Sequence, residues 1–157
     1  MNHLWAPWRI EYILSDKDQA CIFCEKPNQT NDRENLVLYR AERNVVMLNK
    51  YPYNPGHLMV APLKHVNNLE ALDNADLLEH MQLVSQCVAM LKREMHPEGF
   101  NVGINLGRVG GAGIEEHIHT HIVPRWNGDT NFMPVISDTR TIPEGLLATF
   151  DKLVGKL

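Results

Sequence analysis

Three histidines alternate with other residues at positions 117–123 (HIHTHIV). In an extended strand, successive side chains point to opposite faces, so His117, His119 and His121 would share one face at a spacing of about 6 to 7 Å. Packing alone seldom gathers three imidazoles in strict alternation, because each one needs a polar partner when it is buried. Two kinds of chemistry fit this pattern: a metal site built from alternate histidines, or a nucleophilic histidine held between two orienting ones.

Cys21 and Cys24 form a second candidate site. The chain has three cysteines, an odd number, and the Cys-x-x-Cys spacing is closer than that of most structural disulfides, so metal binding or redox chemistry is favoured. Such a pair can occupy two of the four tetrahedral positions around zinc, with two more ligands coming from elsewhere in the fold. A reduced dithiol without metal is the alternative. A redox role fits less well, because no strand-then-helix pattern of the thioredoxin kind follows Cys24.

Four glycines fall within residues 107–113 (GRVGGAG). Glycine lets backbone N–H groups approach phosphate oxygens closely, so this segment predicts a phosphate-binding loop that includes Gly111 and Gly113. Asn105 and Arg108 offer side chains for the same phosphate. Taken without the neighbouring histidines, the glycines fit a flexible turn equally well.

The elements that must position these residues follow an α+β pattern. Short apolar and β-branched runs predict strands at 36–39, 44–49, 57–61, 100–105 and 117–123, the last ended by Pro124. Apolar residues at the helical period predict one long helix, capped by Asp73 or Asn74 and ending near 97–99, and a C-terminal helix within 142–157. Strands, a helix and further strands favour an antiparallel sheet with the long helix packed on it.

Length and charge limit the class of protein. The chain has 157 residues, 44% hydrophobic and 22% charged, and we expect one domain over 1–157 with an N-terminal extension at 1–35 that carries the cysteine pair. The net charge is −4, so no nucleic-acid partner is expected. Without a long apolar run or a signal-like start, we expect a cytoplasmic protein that does not enter a membrane.

Together these motifs resemble the histidine triad family, whose signature is three histidines that alternate with hydrophobic residues. The resemblance covers most of the chain. Residues 54–62 (NPGHLMVAP) are similar to the family's turn-and-strand segment, and 105–113 are similar to its phosphate loop. The flanks at 4–9 (LWAPWR) and 123–132 (VPRWNGDTNF) are similar to a bacterial branch of diadenosine tetraphosphate phosphorylases. The loop departs from many relatives, because residues 112–114 (AGI) stand where they carry Gln or Ser near the phosphate.

The resemblance implies an α+β histidine-triad fold and nucleotidyl transfer. His119 would attack an α-phosphorus and form a nucleotidyl-histidine, which a second nucleophile then resolves. His121 and His57 would contact the phosphates, and Asn49 falls where the family places a ribose-binding residue. A neutral imidazole is a competent nucleophile at neutral pH when a partner fixes its tautomer, and we expect that partner to be a nearby carbonyl.

The resemblance also implies a ligand set for the cysteine pair. In zinc-bearing relatives, the positions of His65 and His117 complete the site, which would be structural and would pin the N-terminal segment to the sheet. Magnesium could accompany a polyphosphate substrate, although no carboxylate cluster requires it. The family further implies a homodimer, in which the segment with Trp5 and Trp8 would wrap the partner.

The expected substrate is a diadenosine polyphosphate or another adenine nucleotide, cleaved by phosphate or by water. The same triad would serve a hydrolase of nucleoside phosphoramidates or mononucleotide conjugates. Two other classes remain open: a hydrolase with a catalytic metal on His117, His119 and His121, and a non-enzymatic nucleotide-binding module.

Four further residues receive expectations from their chemistry. Trp126 is a candidate for stacking on adenine, with a dimer interface or the core as alternatives. Arg125 is a candidate for neutralising distal phosphates, with an exposed salt bridge as the alternative. His80 and His96 show no partner by spacing and are expected at the surface or at a cap.

Overall fold

A computed structural model describes residues 20–132, 136 and 141–157 of the chain. In chain order it has helix α1 (Ile22–Glu25), a 3-10 helix (Lys26–Asn28), α2 (Asp32–Asn35), β1 (Val37–Arg40), β2 (Asn44–Leu48), β3 (Leu58–Pro62), α3 (Asn74–Met95), β4 (Gly99–Ile104), β5 (Thr120–Arg125) and α4 (Leu146–Leu153). The expectations for Trp5 and Trp8 lie outside the described residues. None of the helices in the described ranges combines the length and apolar character needed to span a bilayer.

The strands of the described residues form one antiparallel sheet in the order β1-β2-β3-β5-β4. The first three strands form a meander. The chain then crosses over through α3, forms β4 at the edge and returns as β5 between β3 and β4. This arrangement confirms the predicted α+β fold with an antiparallel sheet and a long helix.

Helix α3 begins where the sequence predicts it. The Asp73 carboxylate accepts the Asp76 N–H at 2.9 Å, and the Asp76 carboxylate accepts the Asp73 N–H at 3.2 Å, so a capping box satisfies two N-terminal donors. The helix ends at Met95, and His96 caps it in the left-handed conformation. Its buried stripe packs on one face of the sheet in a cluster that includes Val84, Cys87, Leu91, Val46, Val60, Ile122 and Phe150.

The opposite face of the sheet carries a smaller apolar cluster. Phe23 from α1 covers side chains of β1, β2 and β3, namely Val37, Val45, Met47, Met59 and Ala61. By the alternation of side chains along a strand, His57 shares the face of Met59 and Ala61, and His121 shares that of Val123. The candidate catalytic residues His57 and His121 therefore lie on the face of the sheet that α3 does not cover.

Two predicted boundaries are wrong. Strand β5 begins at Thr120, three residues after the predicted start, because the Ile118 N–H donates to the Val66 carbonyl at 2.7 Å rather than to a strand. Pro124 lies inside β5, although it was expected to end it. Pairing of β5 with β3 stops at Ile122, so Pro124 needs no N–H on that side, and its carbonyl accepts the Asn54 amide at 2.9 Å.

The C-terminal helix lies where the sequence predicts it. It spans Leu146–Leu153 within the predicted range 142–157, and Pro143 lies ahead of it. Phe150 and Leu153 from this helix enter the cluster under α3. The helix thus closes the core on the side away from the histidines.

Candidate active site

His119 lies at the end of the extended segment that leads into β5 and is 3% exposed. Its Nδ1–H lies 2.8 Å from the carbonyl oxygen of His117, which accepts that proton. The lone pair of the neutral ring is therefore on Nε2. Burial lowers the pKa of His119, against the opposing effect of the carbonyl, so the ring is neutral at neutral pH. A buried imidazole with this tautomer can act as a nucleophile through Nε2.

His57 and His121 form a directional hydrogen-bond chain. The Tyr53 backbone N–H donates to His57 Nδ1 at 3.1 Å, so the proton of the neutral His57 ring is on Nε2. That Nε2–H donates to His121 Nδ1 at 2.9 Å. His121 in turn carries its proton on Nε2, and its ring centroid lies 4.7 Å from that of His119. A backbone amide thus directs a hydrogen-bond donor into the space beside the candidate nucleophile.

The pair is uncharged in the absence of ligand. Burial, together with the nearby rings of His121 and His119, lowers the pKa of His57 to about 3. Burial also lowers the pKa of His121 to about 4, with His119 adding to the effect. A bound polyanion would raise both pKa values, because it stabilises the protonated forms. The site can therefore gain positive charge when a phosphate chain enters.

The glycine-rich loop is tied back to β4. The Asn105 amide donates to the Gly111 carbonyl at 3.2 Å, and Gly111 has a φ of +86°, a conformation that favours glycine. A Cβ at Gly110 would lie 2.4 Å from the Leu106 carbonyl oxygen, so this position also requires glycine. Gly113 is exposed on the same loop. The glycines thus allow a tight turn next to the strand that pairs with His121.

Arg108 and Asn49 are two further predicted substrate contacts, the first on the glycine-rich loop and the second beside His57. Arg108 is exposed, and its backbone N–H donates to the Glu115 carboxylate at 3.2 Å. Asn49 directly follows β2; its N–H donates to the His57 carbonyl at 2.9 Å, and its side-chain oxygen accepts the Tyr51 N–H at 2.9 Å. The structure therefore brings Asn49 beside His57, at one end of the row formed by His57, His121 and His119.

Trp126 is separated from these groups. Its indole N–H donates to the His96 carbonyl at the end of α3, at 3.2 Å. Together with Met95 and Asp129 it lines a cleft of about 420 Å³, whereas His121 lines a different cleft of about 340 Å³. The structure thus does not bring Trp126 to the triad.

A candidate metal centre adjoins the nucleophile. Ligand atoms of Cys21, Cys24, His65 and His117 all lie within 4.8 Å of one another. His117 is fully buried, and its Nε2–H donates to the Pro62 carbonyl at 2.7 Å, which leaves the Nδ1 lone pair 3.2 Å from the Cys21 sulfur. His65 Nδ1 lies 3.3 Å from the Cys24 sulfur. Two sulfurs and two imidazole nitrogens are the donor set of a closed zinc site.

The three triad histidines do not converge on a single point. His117 directs Nδ1 to the cysteine pair, whereas His121 directs Nδ1 to His57. His119 uses Nδ1 for a carbonyl. This arrangement does not match a catalytic metal held by all three rings.

Sequence reasoning missed two buried residues next to the segment that carries the triad histidines. Phe23, between the cysteines, packs its ring centroid 4.9 Å from that of His119 and 5.2 Å from that of His117. His80, expected at the surface, is 4% exposed, and its ring nitrogens bond to Asn44 Oδ1 at 2.8 Å and Thr120 Oγ1 at 2.7 Å. The signal for His80 was its helical spacing, because it lies one turn before Val84 in the buried stripe.

Known proteins are similar to this chain over most of its length. Residues 30–128 match the family model described as the HIT domain. The chain is 40% identical over 158 residues to AP-4-A phosphorylase of Mycobacterium tuberculosis, covering 95% of this chain and 80% of that protein. A crystal structure of a hypothetical histidine triad nucleotide-binding protein from Sulfolobus tokodaii superposes with a TM-score of 0.65 and 29% identity, over 85% of this chain and 91% of that one. A Zn-bound histidine triad family protein from Mycobacterium smegmatis shares the fold, with a TM-score of 0.68 and 24% identity over 87% and 92% of the two chains.

Proposed function

The chain belongs to the histidine triad (HIT) family, and from that premise we propose that it is an enzyme that cleaves the phosphoanhydride chain of diadenosine polyphosphates through a nucleotidyl-histidine on His119. The observation that carries this proposal is the hydrogen bond from His119 Nδ1 to the His117 carbonyl, at 2.8 Å, which leaves Nε2 as the nucleophilic atom. The similarity to AP-4-A phosphorylase of Mycobacterium tuberculosis supports the substrate class.

In the first step, Nε2 of His119 forms a bond to the α-phosphorus while the bridging P–O bond breaks. Positive charge develops on the imidazole, and the His117 carbonyl at Nδ1–H stabilises it. Negative charge develops on the leaving phosphate, and the Nε2–H of His121 is the adjacent donor. His57 is a positioning residue, because it fixes the tautomer of His121.

The remaining contacts are assigned by position. Backbone N–H groups of the loop that contains Gly111 and Gly113 would hold the α-phosphate oxygens, with Asn105 shaping the loop. Asn49, beside His57, would bind the ribose. Arg108, exposed on the loop, would meet phosphates beyond the α position. Trp126 lines a neighbouring cleft, where its indole N–H donates to the His96 carbonyl at 3.2 Å, so its contact with the base stays a prediction.

We infer that Cys21, Cys24, His65 and His117 hold a structural zinc ion. Burial, together with Cys21, raises the pKa of the Cys24 thiol to about 11, so the thiol keeps its proton at neutral pH until a cation displaces it. Zinc would cross-link α1 to the segment that carries the His117 carbonyl, without taking part in a bond-breaking step. Magnesium would enter with the polyphosphate.

We also expect the homodimer that the family implies. Within the described sheet, β4 is an edge strand, and it and the following loop expose the apolar side chains of Val102 and Leu106, 47% and 50% exposed. An open edge of this kind can pair with a second copy. Light scattering on the purified chain tests this, and a mass equal to one chain at micromolar concentration would contradict it.

Intact-protein mass spectrometry tests the proposed function. Wild type mixed briefly with diadenosine tetraphosphate should carry an adenylyl adduct, whereas His119→Ala should carry none and should lose turnover by at least about 1000-fold. ADP and ATP should form with inorganic phosphate, and AMP and ATP with water alone. A wild type without adduct, or a fully active His119→Ala, contradicts the mechanism. Faster turnover of a nucleoside phosphoramidate than of the dinucleotide would show that phosphoramidates are the preferred substrate class.

A further inference from the structure

A cleft of about 340 Å³ opens beside His121 and extends along β4 and β5 to Arg125. His121 and Arg125 lie on the same face of β5, and four residues of strand place them roughly 13 Å apart along the chain. Tyr53 and Asn101 line the space between them. The cleft therefore begins at the proposed reaction centre and ends at a guanidinium group.

The Arg125 side chain is held in one orientation. Its Nε–H and one Nη2–H donate to the Asp129 carboxylate at 2.6 and 2.9 Å, and one Nη1–H donates to Asn101 Oδ1 at 2.7 Å. Asp129 is nearly buried, and it also accepts N–H groups from Asn54 at 2.8 Å and from the Trp126 backbone at 3.1 Å. These contacts use three of the five N–H bonds of the guanidinium. The remaining two N–H bonds, one on each terminal nitrogen, belong to a guanidinium that these contacts hold in place, and charged N–H donors of this kind bind phosphate oxygens well.

In a two-step transfer, the leaving group and the second nucleophile occupy the same side of the reacting phosphorus. In an in-line displacement, the leaving oxygen departs from the side of the phosphorus opposite to His119 Nε2. The second displacement breaks the bond to Nε2, so its nucleophile must arrive from that same side. One site can therefore hold the leaving phosphates first and the incoming group afterwards.

We propose that the cleft between His121 and Arg125 binds the leaving polyphosphate in the first step and inorganic phosphate in the second, and that Arg125 thereby favours phosphate over water as the acceptor. The inference rests on the proposed function. A phosphate dianion gains from a fixed guanidinium, whereas a neutral water molecule gains little, so the effect is selective.

The two steps balance as follows for diadenosine tetraphosphate. His119 Nε2 bonds to the α-phosphorus as the P–O bond breaks, and ATP leaves. An oxygen of hydrogen phosphate then bonds to that phosphorus as the N–P bond breaks, so ADP forms, the phosphate proton goes to solvent and His119 returns neutral. When water takes the place of phosphate, the product is AMP.

The test measures how the adduct decays. Enzyme that has been adenylylated by brief mixing and freed of nucleotide by rapid gel filtration is exposed to increasing inorganic phosphate, and the adduct mass is followed. The slope of the decay rate against phosphate concentration, divided by the rate in water, gives the preference for phosphate. This ratio does not depend on the fraction of correctly folded protein, because both values come from the same adduct.

Arg125→Gln should lower that ratio at least about tenfold, since it removes a charge-assisted contact. Arg33→Gln is the matched control: Arg33 makes a similar two-point pair with Asp151, at 2.8 and 2.9 Å, and does not line the cleft. Asn101→Asp is a second variant, which keeps Arg125 but adds a negative charge at an exposed position of β4, and it should lower the ratio in the same direction.

An unchanged ratio in Arg125→Gln, or an equal fall in Arg33→Gln, would overturn the inference. If Arg125→Gln does not fold, an unchanged ratio in Asn101→Asp overturns it instead. A wild type that forms an adduct but shows no phosphate-dependent decay also overturns it, whereas a wild type without any adduct refutes the proposed function itself.

Discussion

His117 and His119 are two residues apart and both donate a proton to a backbone carbonyl, yet they do so through opposite nitrogens. His117 donates through Nε2 to Pro62 and directs Nδ1 toward the cysteines. His119 donates through Nδ1 to His117 and leaves Nε2 for the substrate side. The difference shows that one carbonyl bond decides whether an imidazole is placed as a metal ligand or as a nucleophile.

The two regions are also connected. The carbonyl that fixes His119 belongs to His117, which is itself a candidate zinc ligand, and Phe23 packs against both rings. We call the cluster of Cys21, Cys24, His65 and His117 the metal region, and the row of His57, His119 and His121 the reactive region. Variants in each region, a pH titration and a variant on the opposite face of β5 should distinguish their contributions.

The largest effect is expected from Cys24→Ser in the metal region. Loss of one sulfur ligand should release the zinc and lower Tm by about 10 °C or more, because structural zinc contributes directly to folding. Metal analysis and calorimetry measure this. Cys87→Ala, in the core and outside the cluster, should keep the metal. A wild type that binds no metal when zinc is supplied, or a Cys24→Ser variant that keeps both the metal and the wild-type Tm, would contradict the assignment.

In the reactive region, His57→Gln should lower kcat by about 10- to 100-fold, because His121 loses the partner that orients it. KM for the dinucleotide should change less than kcat. His121→Gln should be more severe, since it removes the donor itself. Steady-state kinetics with metal analysis measure both, and equal kcat for His57→Gln and wild type would remove His57 from the mechanism.

Acid should destabilise the protein through the buried histidines. The pKa of His57 is lowered to about 3 and that of His121 to about 4, from an ordinary value of 6.5. Between about pH 6.5 and 4, the unfolded chain binds protons that the folded chain does not, so the free energy of unfolding falls as pH falls, by up to about 1.4 kcal/mol per pH unit for each group. Urea titrations measure this slope. His57→Gln should make it shallower, and an identical slope would show that the ring is not neutral in the folded state.

The smallest effect is expected on the opposite face of β5. Thr120→Val removes the hydroxyl that donates to His80 Nε2 and should cost about 1 to 3 kcal/mol of stability, because a buried acceptor is left unpaired. Thr120→Ser keeps the hydroxyl and should lose less. Denaturant unfolding measures both variants, and no difference between them would show that this hydrogen bond contributes nothing to stability.

Local patterns made much of the molecule predictable. The cap at Asp73, the helical stripe of α3 and the alternation around His119 depend on residues close together in the chain, so the sequence shows them directly. The tautomer of His119 depends on a carbonyl two residues away, whereas that of His117 depends on a distant group. His117 finds its carbonyl at Pro62, 55 residues away, and no pattern in the neighbourhood of either residue encodes that bond.

The same distinction explains the errors. His80 was expected at the surface because its two partners, Asn44 and Thr120, lie 36 and 40 residues away. Pro124 was expected to end its strand, because only the register shows that the pairing of β5 with β3 stops at Ile122.

The order of strands in the sheet affects how the protein folds. The meander of β1 to β3 joins segments that are close in the chain, but the bond from His57 to His121 closes 64 residues and that from Cys21 to His117 closes 96. Contacts between distant segments form late, because the chain must first give up the freedom of the long loop between them. During synthesis, a chain that extends only through β3 still lacks His117, His119 and His121, and with them one metal ligand and the proposed nucleophile. Both regions depend on residues 117–121, so neither is complete until β5 lies between β3 and β4 in the sheet.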